Sequence, residues 1–206
     1  MRPSRIWLAV AALYTGFFLW YTGVRGPLTP EEVDRFVEVM AEGGAAPERL
    51  ATLRQFLEED PGGDFVIANA ILFRERPLEV GDVRPGESSR EVLDRYMAFM
   101  WPELLMRACH PVVAGRAAAT TIEAWGIENG EEWSMAGLMR YRSRRDMLEI
   151  VAKPAFRDSH EFKFAAIEKT IAFPISPYIQ LGGPRVVVGL ALFALAAVLH
   201  LRLGRR

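Results

Sequence analysis

Apolar and polar positions follow three regimes along the 206-residue chain. Residues 6–24 (IWLAVAALYTGFFLWYTGV) form a run of 19 without a charge, and residues 186–201 (VVVGLALFALAAVLHL) form a run of 16 between Arg185 and Arg202. Between them, apolar residues recur at strand or helix spacing. A helix rises about 1.5 Å per residue, so the first run covers roughly 28 Å, close to the hydrocarbon thickness of a bilayer. Trp7 near one end, with Trp20 and Tyr21 near the other, suits the two headgroup layers. Tyr21-Thr22-Gly23 puts a bulky ring where signal cleavage wants a small residue, so an uncleaved anchor is expected. The second run is short, but the Arg side chains at its ends can snorkel and residues 178–181 extend it. His200 then falls at the membrane rim as an interfacial residue.

The middle segment begins with a helical hairpin over residues 25–63. Thr29-Pro30-Glu31-Glu32 is a capping-box start, and Val33, Phe36, Val37 and Met40 form one stripe. Leu50, Leu53 and Leu57 mark a second helix over 47–59. Residues 64–74 (DFVIANAILFR) read as a strand apolar on both faces, with Asn69 the one polar interruption. Ser88-Ser89-Arg90-Glu91 starts a helix carrying Val92, Leu93, Tyr96, Met97, Met100, Trp101, Leu104 and Leu105, and Pro102 is expected to kink it. Its Met and Trp residues, at helical spacing, read as core. Residues 112–122 and 133–142 read as strands, with Asn129-Gly130 as their hairpin turn. A helix capped by Ser143 and another from Pro154 to about residue 168 follow, and residues 169–175 form the last strand.

Charge then sets an orientation. All 26 Asp and Glu lie between Glu31 and Glu168, while Arg2, Arg5, Arg202, Arg205 and Arg206 crowd the ends. Only Arg25 and Arg185 flank the inner sides of the two runs, so both termini are expected in the cytoplasm. The segment from Arg25 to Arg185 carries 20 Lys and Arg against 26 Asp and Glu, a net of −6, and is expected outside, in the periplasm of a Gram-negative cell. The whole chain, at net charge −1, lacks the basic stripe of a nucleic-acid binder, and lone Cys109 forms no internal disulfide. The expected organisation is a cytoplasmic N-terminus (1–5), a span (6–24), the hairpin (25–63), an α+β domain (64–177), a linker (178–185), a span (186–201) and a cytoplasmic C-terminus (202–206).

The order from residue 64 onward is β-α-β-β-α-β, the split βαβ arrangement of ferredoxin-like domains. Tyr96 with Trp101-Pro102, Cys109-His110-Pro111 leading into Val112-Val113-Ala114-Gly115-Arg116, and Tyr141-Arg142-Ser143-Arg144-Arg145-Asp146 resemble the small dimeric α+β barrel proteins. The similar group is an uncharacterised one known by a domain-of-unknown-function label (the DUF1330-like group). Phe156, Phe162, Ala165, Glu168 and Thr170 sit where that group has its second helix and last strand. The resemblance covers about 64–177. It implies a ferredoxin-like α+β domain that pairs with a second copy through its sheet, and a cavity bordered by that sheet. The helical hairpin and the two apolar runs are departures from the group.

Candidate chemistry is sparse. The chain has no Gly-rich phosphate loop, GxSxG, CxxC or HExxH, and His110, His160 and His200 are too scattered for a multi-His metal site. Asn69, Arg116, Arg140 and His160 are the polar groups expected to project into a barrel cavity. Arg suits a carboxylate or phosphate, and His suits acid–base work. The resemblance adds haem ligation as a role for His160. The plain reading of each is structural: a hydrogen-bonded Asn, strand-end Arg residues in water, a solvated helix His. The basic cluster Arg140, Arg142, Arg144 and Arg145 reads as a solvated turn, with a phospholipid headgroup as the other reading. Two functions stand: a membrane-tethered binding or assembly module with a homodimeric extracytoplasmic domain, or an enzyme or haem-handling protein acting on a small apolar molecule in the cavity. Membrane lipid and a second copy are the expected partners, nucleic acid is not, and no cofactor follows from the residues alone.

Overall fold

The computed structural model describes residues 3–130, 132–180 and 182–204, which fall into two compact units, one from the chain ends (residues 1–25 and 177–206) and one from residues 26–176. Arg2, Glu131, Leu181, Arg205 and Arg206 lie outside the described residues.

The first unit is an antiparallel pair of helices, α1 (Pro3–Thr22) and α7 (Pro184–Gly204). Trp7 Nε1 donates to His200 Nδ1 at 3.2 Å and Tyr14 Oη donates to the Arg185 carbonyl at 3.1 Å. His200 is thus an interhelical acceptor, a role its place at the end of an apolar run did not reveal. Gly189 allows the Tyr14 contact, since a Cβ there would sit 3.2–3.4 Å from the Tyr14 ring and hydroxyl. Among the described residues one helix, Pro184–Leu203, is long and apolar enough to cross a membrane, with a mean hydropathy of 2.3. Helix α1, expected from the sequence to be the first span, does not reach that standard. Tyr14-Thr15-Gly16 and Trp20-Tyr21-Thr22 interrupt its aliphatic run, and amphipathic rings and hydroxyls lower its mean hydropathy.

The second unit is α+β. The order β1 (Phe65–Phe73), α4 (Ser89–Met106), β2 (His110–Arg116), β3 (Met135–Tyr141), α5 (Arg144–Val151), α6 (Pro154–Ala166), β4 (Ile167–Ile175) folds into a four-stranded antiparallel sheet, β2-β3-β1-β4. This is the ferredoxin-like arrangement, with one added short helix, α5. Helices α4 and α6 pack side by side on one face of the sheet. Val92, Leu93, Tyr96, Met100, Leu104, Ala165 and Ala166 close a core over Ile71, with Phe73, Met135, Met139 and Tyr141 packed against it. All five sheet residues are odd-numbered positions of β1 and β3, as a period of two requires. Ser88 starts α4 with a full capping box, its hydroxyl accepting from Glu91 N while Glu91 returns to Ser88 N. The helix runs on through Pro102, which lies in its last turns.

The preceding hairpin, α2 (Pro30–Glu42) and α3 (Pro47–Glu58), buries Val33, Phe36 and Leu57 against Leu148 of α5, with Met147 and Val151 alongside. It therefore covers α5 at the Phe65 end of the sheet, where Phe56 meets Phe65 edge to face. The strap Gly26–Leu28 is held there too. Arg145 donates to the Gly26 and Pro27 carbonyls at 3.2 and 2.9 Å, and Asp60 Oδ2 accepts from Leu28 N at 2.9 Å. Gly62 has φ +78, and a Cβ on it would meet Pro27 N at 2.5 Å, so only glycine passes beneath the strap.

The bounds differ from expectation by about two residues at β3 and at the junction of α6 with β4, which begins at Ile167 rather than 169, and most at β2, which runs from His110. β2 stops at Arg116 rather than at 122, and β3 starts at Met135, so Asn129-Gly130 is no tight hairpin turn. Asn129 does adopt positive φ (54°), but inside a long loop over 117–134. The ladder closes instead through Ser134, whose N–H donates to the Ile71 carbonyl and whose hydroxyl accepts from Phe73 N.

Candidate functional site

Among the described residues of the 26–176 unit, no helix packs on the second face of the sheet. Even-numbered Ala68, Ala70 and Leu72 of β1 lie in register with Leu138 and Ala136 of β3 and with Phe173, Ile171 and Lys169 of β4. Val113 of β2 pairs with Leu138 and completes the row. Val113 is 60% exposed and Phe173 52%, and Ile171 is also exposed. At the Phe65 end the same face closes over, where Val66 and Arg140 are buried. The hairpin packs on α5, not here. An apolar face of this kind on a folded unit marks an interaction surface.

The four polar candidates are not brought together. Arg140 is 1% exposed and works inside the fold: its Nε donates to Asp64 Oδ2 at 2.8 Å and its Nη1 to the Ala108 carbonyl at 2.7 Å. Ala108 has positive φ (56°), so Arg140 braces the reversal that joins α4 to β2. Arg116 lies exposed at the far end of β2. Asn69 projects to the helix-bearing face, opposite Gly137 and Ala172, and donates to the Ile67 carbonyl at 3.2 Å. His160 lies on α6 in an aromatic stack, 4.9 Å from the Phe156 ring, 4.7 Å from Phe164 and 5.8 Å from Tyr96. Burial, with Lys163 and Arg49 adding repulsion, pushes its pKa down to about 4. Burial also lowers Lys163, whose ammonium sits 5.7 Å from the Tyr96 ring centre. His160 is therefore an aromatic-like packing residue, neutral at pH 7, rather than a solvated one.

The basic cluster corrects the sequence reading. Its four guanidinium groups are engaged within the fold, not solvated in a turn. Arg140 pairs with Asp64, Arg142 with Asp146 at 2.6 Å, Arg145 with Glu32 at 2.8 Å, and Arg144 lies 3.6 Å from Asp60 and stacks on Phe56 at 4.1 Å. A headgroup contact would have to displace these partners. The Arg145 hydrogen bond holds the Glu32 carboxyl down to about 2. Sequence reasoning missed this pairing because Glu32 and Arg145 stand 113 positions apart.

Two other groups are structural. Cys109 is fully buried, accepts from Arg142 N at 3.4 Å, and has its thiol pushed up to about 11 by burial, so it is no thiolate nucleophile. Glu103 accepts from Lys153 and Arg107 on the α4 side of an ion-pair network. Among the described residues no group of three His, Cys, Asp or Glu is placed to hold a metal ion.

What the sequence reading did not find is the loop between β2 and β3. Ile122 is fully exposed, Trp125 is 82% exposed, and Ile127 stands half out. The signal was present as three large apolar residues among Thr, Glu and Gly, but the residues up to 122 read as the end of a strand.

No family model matches the chain, and no curated protein matches it. Among solved structures it is similar to RPA0582, a protein of unknown function from Rhodopseudomonas palustris, at 20% identity and TM-score 0.51, over 66% of this chain and 95% of that one. The methylated form of RPA0582 matches at 21% identity and TM-score 0.53, over 67% and 95%. A dimeric protein of unknown function with a ferredoxin-like fold, from Bacteroides fragilis, matches at 12% identity and TM-score 0.33, over 56% and 97%. At these identities the likeness to RPA0582 is one of fold alone.

Proposed function

We propose that the chain is a membrane-tethered binding or assembly module that works as a homodimer. The observation that carries this is the helix-free sheet face, which leaves Val113, Ile171 and Phe173 in water. Each such side chain forfeits about 1.5–3 kcal/mol of burial when left exposed. A second copy of the same face is self-complementary and closes a barrel by two-fold symmetry.

The tether in this reading is the pair 6–24 and 186–201, with both termini in the cytoplasm and the domain of residues 64–177, with its hairpin, in the extracytoplasmic space of a bacterial inner membrane. Residues 178–185 serve as the linker between domain and membrane. Supporting it, Leu8 and Leu13 on α1 and Val186, Leu190 and Phe193 on α7 are all exposed, which suits a lipid surround. Membrane tethering raises the local concentration of like chains and favours pairing. The alternative, an enzyme or haem-handling protein, finds no better support, since Asn69, Arg116, Arg140 and His160 do not converge on one cavity.

Two measurements test the reading on the full chain. A cysteine in place of Ser88 is labelled by a membrane-impermeant thiol reagent in intact spheroplasts, and labelling only after lysis overturns the topology. Light scattering in detergent gives a dimer mass for the wild type, and Phe173→Asp gives a monomer. A wild type that stays monomeric at tens of micromolar removes the dimer.

A further inference from the structure

The loop between β2 and β3 is ordered by its own contacts. Thr121 Oγ1 and Trp133 Nε1 both donate to the Gly130 carbonyl, at 2.7 and 3.1 Å. Gly130 packs so closely on Ala124 and Ile127 that an added Cβ would lie 3.2–3.3 Å from them. Lys169 Nζ donates to the Asn129 carbonyl and stands 4.9 Å from the Trp133 ring centre. Lys169 pairs with Leu72, so it belongs to the helix-free face, and the loop bends to that side of the sheet. A braced loop that holds Ile122, Trp125 and Ile127 out in water is built for an occupant.

Position and charge narrow the choice. The strap Gly26–Leu28 meets Asp60 and Gly62 just before β1, and β4 ends at Ile175 beside Val66. Both connections to the apolar helices therefore leave from the Phe65 end of the sheet. The loop stands at the other end, beyond Arg116 and Met135, about 20–25 Å along the strands. Its residues 117–133 include four Glu and no Lys or Arg, a poor match for an anionic bilayer surface.

Area points to a second copy. The open stretch of the face spans four strands about 4.8 Å apart and about five residues at about 3.3 Å, roughly 300 Å² per copy or roughly 600 Å² for a pair. A stable pair buries about 1,200–2,000 Å². The face alone falls short by about half. One Trp side chain buries about 150–250 Å², so Trp125 with Ile122 and Ile127, from both copies and with the surface they cover, supplies on the order of 800 Å² more. We propose that residues 117–133 of each copy lie on the open sheet face of the other, with Trp125 as the anchoring side chain. This rests on the face-to-face pairing proposed above and names the element that completes it. Glu123 and Glu128 follow Ile122 and Ile127 directly and remain at the wet rim.

The test uses the full chain. With a photo-crosslinking benzoylphenylalanine in place of Ile122, irradiation in native membranes is expected to yield a homodimer-mass adduct. Mass spectrometry should map it to residues 68–72, 113 or 171–173. Adducts to lipid or to another protein, or none to a second copy, overturn the inference. In detergent, Trp125→Ala is expected to weaken the dimer about 30-fold, the scale of an interface hot spot, with an unchanged melt only at concentrations below Kd, where the chain is monomeric and Trp125 is exposed. Phe173→Asp separates the two claims. If it dissociates the dimer while Trp125→Ala leaves Kd within about threefold, the loop is not the anchor and the face pairing stands. If Phe173→Asp also leaves the dimer intact, the face pairing fails and the loop contact with it.

Discussion

The Glu32–Arg145 pair sets a pH-dependent lock on the hairpin. Arg145 is buried, and both oxygens of Glu32 accept from it at 2.8 Å. Its remaining donors hold the Gly26 and Pro27 carbonyls. Glu32→Gln keeps the size but removes the charge and replaces one of the two accepting oxygens with a donor. The carboxyl pKa is held down to about 2 against an ordinary value of 4.5. A folded pKa below the unfolded one contributes stability at pH above about 4.5, and that stability is lost as pH falls through about 2. The gap corresponds to ~3 kcal/mol at pH 7, ~1.4 at pH 3 and under about 0.5 at pH 2. Glu32→Gln is therefore expected to unfold the hairpin more easily at pH 7 and to behave as the wild type near pH 2. Thermal melts of the full chain in detergent, followed by circular dichroism between pH 7 and pH 2, measure this. Arg145→Met is expected to cost a similar or greater amount, because it also strands two carbonyls. The double variant should be less destabilised than the sum of the two single ones. Equal melts for wild type and Glu32→Gln at pH 7, or a gap that persists unchanged at pH 2, would falsify the lock.

Three further outcomes follow from single sites. Gly62→Ala, forced into φ +78 with its Cβ on the Pro27 backbone, should lower stability by about 1–3 kcal/mol and free the strap to hydrogen exchange; an unshifted melt refutes the tight crossing. His160, with its pKa near 4, should show no imidazole titration by NMR between pH 7 and pH 5.5. Because its folded pKa lies below the usual 6.5, its protonation should cost stability as pH drops from about 6.5 toward 4, and a midpoint near 6.5 contradicts the half-buried aromatic stack. Gly189→Val should push Tyr14 away and lengthen the distance between spin labels at positions 11 and 190, whereas an unchanged distance shows that α1 and α7 do not depend on that contact.

Local order in the sequence carried much of the fold. Thr29 with Glu32 and Ser88 with Glu91 are separated by three residues, so their capping boxes form wherever the chain turns helical. Alternation along Phe65–Phe73 and Met135–Tyr141 assigned each side chain to a face, because a strand has a period of two whatever it pairs with. The order β-α-β-β-α-β then left few topologies, and the sheet β2-β3-β1-β4 is one of them. Contacts between distant residues were decided only in three dimensions. Arg140, Arg144 and Arg145 stand near one another in sequence like a solvated basic turn, yet Asp64 reaches Arg140 only when β1 pairs with β3, and Asp60 and Glu32 reach Arg144 and Arg145 only after the hairpin docks on α5. His160 reads as a charged-face residue beside Asp158 and Glu161, and becomes an aromatic packing residue only because Tyr96 on α4 lies beside α6. β2 stops at Arg116 because β3 begins pairing only at Met135, and a strand gains its hydrogen bonds from its neighbour. The residues that stay unpaired there, with Ile122 and Trp125 held outward, make the loop a surface whose occupant the pattern of one chain does not encode.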